Sequence, residues 1–189
     1  MSFDLMFQQA NALYLNGSYE EAEKIYRNLL VFMPDNPDVL NMLGLTAEAQ
    51  NAHAQAAELF YKALKKAPRP LPIYFNLGVS LTALKQFDEA IEAYHQVLKI
   101  APQTIEAYRN LGLIEKQKGN LTASLDYFQK ALEINPNDVM LLTDVADLKN
   151  DHETLFNLAE RFENEPYPRY KLALLAFDAK DFESIGRRR

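Results

Sequence analysis

The chain has 189 residues, 48% of them hydrophobic and 24% charged, so it contains ample apolar material for a buried core. A formal net charge of −6 argues against general binding to nucleic acids or anionic membranes, because both attract basic surfaces. The absence of cysteine excludes disulfides, thiolate catalysis and cysteine metal sites, and it is compatible with the reducing, cytoplasmic location that we expect.

The chain repeats itself with a period of 34 residues. Four classes of position keep this period: the prolines Pro34, Pro68, Pro102 and Pro136, the Leu-Gly pairs ending at Gly44, Gly78 and Gly112, the small residues Ala56, Ala90 and Ser124, and the aromatic residues Phe60, Tyr94 and Phe128. A fixed period of this length is typical of stacked supersecondary units. Each unit contains two segments with apolar residues at helical spacing, which predicts an antiparallel helical hairpin.

The first hairpin begins with a helix predicted over residues 3 to 15. Asn16 and Gly17 form the predicted turn, and Ser18 with Glu21 has the spacing of a capping box that opens the second helix. At the equivalent turn of the second unit Asn51 replaces glycine, and we expect it to adopt the left-handed backbone that asparagine tolerates. Lys85 stands at this turn in the third unit.

A proline-dense junction, Pro68 to Pro72, separates the second and third units. Because proline restricts the backbone, the junction is predicted to be a stiff linker, and recognition by a proline-binding domain is the alternative. The third unit then carries a glycine inside a helix, Gly78, which is costly by roughly 1 kcal/mol relative to alanine. We attribute Gly44, Gly78 and Gly112 to close approach of the partner helix at Ala56, Ala90 and Ser124, and a set of hinges is the alternative.

The pattern decays after Pro136. Leu142, Val145 and Ala146 predict a first helix, and Leu155, Ala159 and Phe162 predict a second one in a shortened unit. A helix predicted over residues 170 to 179 opens a further unit whose second helix is missing. The apolar residues of this unit, Leu172, Leu175 and Ile185, lack the second helix that would pack against them. We therefore expect the chain either to be the amino-terminal part of a longer protein or to pack against another molecule at this end. The run Arg187 to Arg189 could dock a partner or mark a truncation.

The residues at the 34-residue period resemble the tetratricopeptide repeat family. Its pattern is matched in the third unit by Tyr74, Leu77, Gly78, Leu81, Ala90, Tyr94 and Pro102, with leucine in place of one tyrosine. The fourth unit matches it at Tyr108, Leu111, Gly112, Ser124, Phe128, Ala131 and Pro136, with serine in place of the alanine. The resemblance implies an all-α fold, a right-handed superhelical α-solenoid of antiparallel helix pairs. It places regular repeats at 3–36, 37–70, 71–104 and 105–138, a degenerate repeat at 139–165 and an incomplete one at 166–189.

The residue types needed for catalysis or for a cofactor are not grouped in this sequence. His53, His95 and His152 are too far apart to form an i, i+4 zinc pair, and no phosphate-binding glycine loop or nucleophile elbow occurs. Asp88, Glu89 and Glu92 could be paired acids, but carboxylates in the first turns of a helix are better explained by the helix dipole. The sequence therefore predicts no enzyme, no cofactor and no metal, and it has neither a signal peptide nor an apolar run of the roughly 20 residues that would insert into a membrane.

The resemblance also implies where a partner binds. In the family, the first helices of successive repeats line a concave groove that contacts peptides. The residues carried over by register are Asn11, Tyr14, Asn41, Leu45, Glu48, Phe75, Asn76, Val79, Thr82, Arg109, Asn110, Leu113 and Lys116. A solvated helix face is the alternative for each of them.

The side chains expected to line this groove indicate which class of peptide it binds. Family members that bind the carboxylate terminus of chaperones use Lys, Arg and Asn on three repeats, whereas Phe7 and Asn41 stand here where lysines would be expected. We therefore expect no carboxylate clamp but a partly apolar groove that binds a peptide with hydrophobic anchors. Arg109 and Lys116 are expected to attract an acidic group at one end.

Three functions follow from this reading. The first is a protein-interaction scaffold that binds a partner peptide or protein segment. The second is the substrate-recruiting or partner-recruiting domain of a longer enzyme of the glycosyltransferase, methyltransferase or sulfotransferase type. The third is self-association into a homo-oligomer through the unfinished carboxy-terminal end.

Overall fold

The computed structural model describes residues 2–174, and within this range the chain is all-α, with no strand. Its ten helices are α1 (Phe3–Leu15), α2 (Tyr19–Phe32), α3 (Pro37–Ala49), α4 (His53–Leu64), α5 (Leu71–Ala83), α6 (Phe87–Ile100), α7 (Ile105–Gln117), α8 (Leu121–Ile134), α9 (Val139–Leu148) and α10 (His152–Arg161). A further helical segment covers residues 166–174. The predicted residues Leu175, Ile185 and Arg187 to Arg189 lie outside the described range.

The helices alternate as first and second members of hairpins. The first helices α3, α5, α7 and α9 begin at Pro37, Leu71, Ile105 and Val139, each 34 residues after the one before. Side-chain oxygens of Ser2, Asn36 and Asp138 accept hydrogen bonds from backbone N–H groups at the starts of α1, α3 and α9. First helices therefore start at genuine caps in these three repeats.

The predicted capping box at Ser18 is wrong. Ser18 precedes α2, but its side chain makes no capping hydrogen bond. A tight turn holds this position instead, since the Ser18 backbone N–H donates to the Leu13 carbonyl at 2.9 Å. The second helices α4, α6 and α8 also start without a side-chain cap, whereas the Asp151 side chain caps α10 by accepting a hydrogen bond from the Thr154 N–H at 3.0 Å.

The turns between paired helices contain one residue with a left-handed backbone. Gly17, Asn51, Lys85 and Gly119 have φ values of 80°, 60°, 58° and 84°. This confirms the left-handed conformation expected of Asn51. Lys85 adopts the same conformation although it has no side-chain group that favours it, so its backbone is strained.

By its contacts the chain divides into two compact units, unit 1 (Met1–Ala107) and unit 2 (Tyr108–Arg189). In unit 1, helices α1 to α6 pack in chain order, each against the next. In unit 2, α8 packs against α9 and α9 against α10. A fully buried aromatic side chain lies at the same place in four second helices, at Tyr26, Phe60, Tyr94 and Phe128.

These rings correct the explanation of the helical glycines. A Cβ atom at Gly44 would lie 2.5 Å from the Phe60 ring, and one at Gly78 would lie 2.7 Å from the Tyr94 ring. The glycines are therefore required by the aromatic side chain of the second helix and not by its alanine. In unit 2, Gly112 faces Phe128 in the same way, although Ser124 also touches it by donating a hydrogen bond to the Gly112 carbonyl at 2.7 Å.

The shortened repeat in unit 2 buries only part of the predicted set. Leu141 and the predicted Ala146 of α9 are buried, whereas the predicted Leu142 and Val145 are only half-buried. The same helix also buries two polar side chains, Thr143 and Asp144. Buried polar groups need partners, and those of Asp144 lie on neighbouring helices of unit 2, as described below.

Candidate functional site

In unit 1, two asparagines of successive first helices are joined by a hydrogen bond. The Asn76 Nδ2 group of α5 donates to Asn41 Oδ1 of α3 at 3.2 Å, and both side chains are half-buried. This hydrogen bond uses one N–H of Asn76 and one lone pair of Asn41 Oδ1. Each asparagine amide carries both donor and acceptor groups, which match the carbonyl and N–H groups of a peptide backbone.

A polar cluster lies further along the same helices, at Glu48 of α3 and Ser80 of α5. Glu48 accepts hydrogen bonds from the buried Ser80 hydroxyl at 2.5 Å and from His53 Nδ1 at 3.1 Å. Thr82 donates to the carbonyl of Gly78 in its own helix at 2.7 Å. Glu48 and Thr82 thus use their polar side-chain atoms in hydrogen bonds within the chain. They line the surface but contribute less to hydrogen bonding with a partner.

The apolar residues predicted on this surface differ in exposure. Phe75 is half-buried and packs edge-on against the Tyr94 ring, with the two centroids 5.8 Å apart. Leu45 is also half-buried, whereas Val79 is 39% exposed. Val79 is thus the apolar side chain of α5 that a partner can reach most easily.

At the start of unit 1 the predicted residues pack against their own hairpin. The Tyr26 hydroxyl donates to Asn11 Oδ1 at 2.6 Å, and the Tyr14 ring lies 5.6 Å from that of Tyr19. Burial raises the pKa of Tyr14, with a smaller contribution from Tyr19. Phe7, at the place of a clamp lysine, packs edge-on against Tyr26 with a centroid distance of 6.0 Å.

In unit 2 the two predicted cations are paired within the chain. Arg109 donates to Asp144 Oδ2 at 3.1 Å, and Lys116 donates to Asp147 Oδ2 at 2.6 Å. The Asp144 side chain is only 2% exposed. Aspartates of α9 thus pair with both cations, and the expectation that Arg109 and Lys116 attract an acidic group of a partner stays a prediction.

Two side chains of the helical segment 166–174 also donate hydrogen bonds to these aspartates of α9, which makes a polar network. The Tyr167 hydroxyl donates to Asp144 Oδ1 at 2.6 Å, and Lys171 donates to Asp147 Oδ2 at 3.0 Å. Each aspartate thus joins α7 to the 166–174 segment. Asn110 and Leu113, the remaining predicted residues of α7, are half-buried.

Two side chains of the polar network, Asp147 and Tyr167, have shifted pKa values. Burial would raise the pKa of Asp147, but the hydrogen bonds from Lys116 and Lys171 outweigh it and lower the pKa. Burial, and then the hydrogen bond to Asp144, raise the pKa of the Tyr167 phenol. Both groups therefore keep their usual charge over the physiological range, which suits a structural role.

The sequence prediction missed Asp144, Asp147, Tyr167 and Lys171. One signal was present: Asp144 follows Asn76 and Asn110 in the 34-residue register, so an acid replaces the amide there. The partners Tyr167 and Lys171 come from a unit of irregular length, and the register does not reach them.

Metal-binding groups and membrane-spanning helices are absent from residues 2–174. No group of three or more His, Asp or Glu side chains could hold a metal ion in that range. None of the described helices combines the length and the apolar character needed to cross a membrane.

Comparison with known proteins agrees with this architecture. Two family models described as tetratricopeptide repeat match residues 7–69 and 71–137. No curated protein matches the sequence. The chain belongs to the tetratricopeptide repeat family.

Solved structures share the fold at low sequence identity. A tetratricopeptide repeat protein from Parabacteroides merdae is 18% identical with a TM-score of 0.82, covering 97% of this chain and 76% of its own. MamA from Desulfovibrio magneticus is 22% identical with a TM-score of 0.73, covering 86% of this chain and 92% of its own. YrrB, a tetratricopeptide repeat protein with an unusual peptide-binding site, is 17% identical with a TM-score of 0.72, covering 87% and 89%.

Proposed function

We propose that this protein is a non-enzymatic scaffold that binds an extended segment of a partner protein on the first helices of unit 1. The observation that carries the proposal is the pair Asn41 and Asn76. Their hydrogen bond fixes both side chains, so the remaining donor and acceptor are already oriented for a peptide backbone. The family membership and the peptide-binding site of YrrB support the same class of function.

Sequence selectivity in this proposal comes from apolar contacts. Val79 is exposed one turn after Asn76 on α5, and Leu45 lies one turn after Asn41 on α3. A segment held by the two amides would place an apolar side chain between these residues. The preferred partner therefore has a hydrophobic anchor and needs no terminal carboxylate.

Unit 2 contributes less to recognition in this proposal. Arg109 and Lys116 are neutralised by Asp144 and Asp147, so the face of α7 has little charge to offer a partner. Among the described residues no observation favours the two other functions, recruitment for a longer enzyme and self-association through residues 166–189.

Selection of peptides from a displayed random library against the full chain tests the proposal. We expect the selected peptides to contain a hydrophobic residue and to lose about five- to twelvefold in affinity with Asn76→Ala or Val79→Arg, since one lost hydrogen bond or apolar contact is worth about 1 to 1.5 kcal/mol. Glu20→Gln, an exposed change on the second helix α2, is the matched control. Selected peptides that bind both variants as tightly as the wild type would refute the proposed surface.

A further inference from the structure

A second surface of unit 1 lies between the second helices α4 and α6. Two clefts, of about 440 and 390 Å³, share the side chain of Tyr61, which is 47% exposed. The larger one is floored by Leu64, Tyr74 and Leu77, and the smaller one is lined by alanines of α4. Residues three and four apart on a helix share a face, so the two clefts follow one line along α4. We call them together the α4–α6 groove.

The groove is distinct from the surface proposed above for peptide binding. Its residues come mainly from second helices, whereas Asn41, Asn76 and Val79 belong to first helices. Tyr74 and Leu77 of α5 form its floor but are not among the predicted binding residues. The two surfaces can therefore be altered independently.

The rim of the α4–α6 groove is acidic. Glu58 of α4 and Asp88, Glu89 and Glu92 of α6 line the two clefts, and no Lys, Arg or His residue does. Stabilisation of the α6 start by the helix dipole explains Asp88 and Glu89 in the first turn. It does not explain Glu92 in the second turn, or Glu58 on the other helix. Four carboxylates, from α4 and α6, thus line the apolar α4–α6 groove.

We infer that the α4–α6 groove is a docking surface for a protein segment that carries arginine or lysine next to a large apolar side chain. The apolar residue enters the larger cleft, where Leu64 and Leu77 contact it. The basic residues reach the carboxylates at the rim, and the exposed face of Tyr61 attracts a cation through its ring. Arginine suits the site better than lysine, because its planar guanidinium stacks on an aromatic ring and binds a carboxylate through two hydrogen bonds.

A synthetic peptide tests this inference on the full chain. The probe is the blocked peptide Arg-Arg-Leu-Trp-Leu-Arg, compared with a peptide in which glutamate replaces each arginine. The protein contains no tryptophan, so the fluorescence anisotropy of the peptide tryptophan reports binding without interference. We expect the basic peptide to bind, the acidic one not to bind, and the affinity to fall with added salt because exposed charges are screened.

Variants locate the site. The double change Glu89→Gln and Glu92→Gln alters two exposed side chains, and we expect it to weaken binding of the basic peptide about tenfold at low salt. Tyr61→Ala should weaken it by a similar factor. Glu20→Gln and Val79→Arg should leave the affinity unchanged, because they lie outside the groove; Val79→Arg thereby separates this inference from the proposed peptide-binding surface.

Three results would overturn the inference. The first is that the basic peptide does not bind, and the second is that both peptides bind equally well. The third is that the wild type dimerises in light scattering while Tyr61→Ala is monomeric, since the occupant would then be a second copy of this chain.

Discussion

The close packing of helical glycines on buried aromatic rings predicts the effect of adding a single methyl group. In Gly78→Ala the new Cβ atom would lie 2.7, 2.8 and 3.0 Å from three atoms of the Tyr94 ring. The Tyr94 side chain is 1% exposed and forms an edge-to-face contact with Phe75, so its ring cannot move aside freely. The ring or the helix must shift by several tenths of an ångström.

Two opposing effects set the magnitude. Helix propensity alone would make Gly78→Ala more stable by about 1 kcal/mol. Overpacking of a buried site is destabilising by about 1 to 3 kcal/mol, and three sub-van-der-Waals contacts place this site at the upper end. We therefore expect a net loss of about 1 to 2 kcal/mol in the free energy of unfolding.

The assay is urea denaturation followed by circular dichroism, arranged as a double-mutant cycle with Tyr94→Leu. Leucine removes the ring atoms that meet the new methyl group, so Gly78→Ala should become stabilising in that background. The coupling between the two positions should be about 2 to 3 kcal/mol. If Gly78→Ala stabilises the otherwise wild-type chain by about 1 kcal/mol, the ring does not dictate the glycine and this reasoning fails.

Three further predictions concern the turn at Lys85 and the aspartates of unit 2. Lys85→Gly should raise the free energy of unfolding by about 0.5 to 1 kcal/mol in urea titration, because glycine adopts a φ of 58° without strain; no gain would contradict this. Asp144→Ala should lower it by about 2 to 3 kcal/mol, since Arg109 and Tyr167 lose their shared acceptor; a loss under about 0.5 kcal/mol would show that the pair is not structural. The folded-state pKa of Asp147 is lowered, so its stabilising contribution is present above the unfolded pKa of about 3.9 and is lost as the pH falls through the folded value. Acid unfolding should therefore be less steep in Asp147→Asn than in the wild type, and an identical acid titration would refute the role of this carboxylate.

The helices follow from the sequence because their signals are local and periodic. The turn residues Gly17 and Gly119 and the left-handed Asn51 recur at a fixed spacing, and the observed helices begin and end around them. The glycines inside helices were correctly predicted to be packing positions. Their packing partner was not, since the sequence does not show whether a small or an aromatic side chain of the facing helix points at them.

The polar groups of unit 2 could not be predicted in the same way. Whether Arg109 is available to a partner depends on Asp144 and Tyr167, which lie 35 and 58 residues further along the chain. These contacts join helices that lie far apart in the sequence and belong to repeats of unequal length, so no local pattern encodes them. In unit 1 the register is regular, and there Asn41 and Asn76 are found together as neighbouring first helices require.

The central claim is that Asn41 and Asn76 bind the backbone of a partner segment. The most direct measurement is a titration of the ¹⁵N-labelled chain with a selected peptide, following the side-chain amide resonances of these two residues by NMR. The account predicts that both resonances, together with the backbone resonance of Val79, shift in proportion to saturation. Unchanged asparagine resonances at saturation, with shifts confined to the second helices, would contradict it.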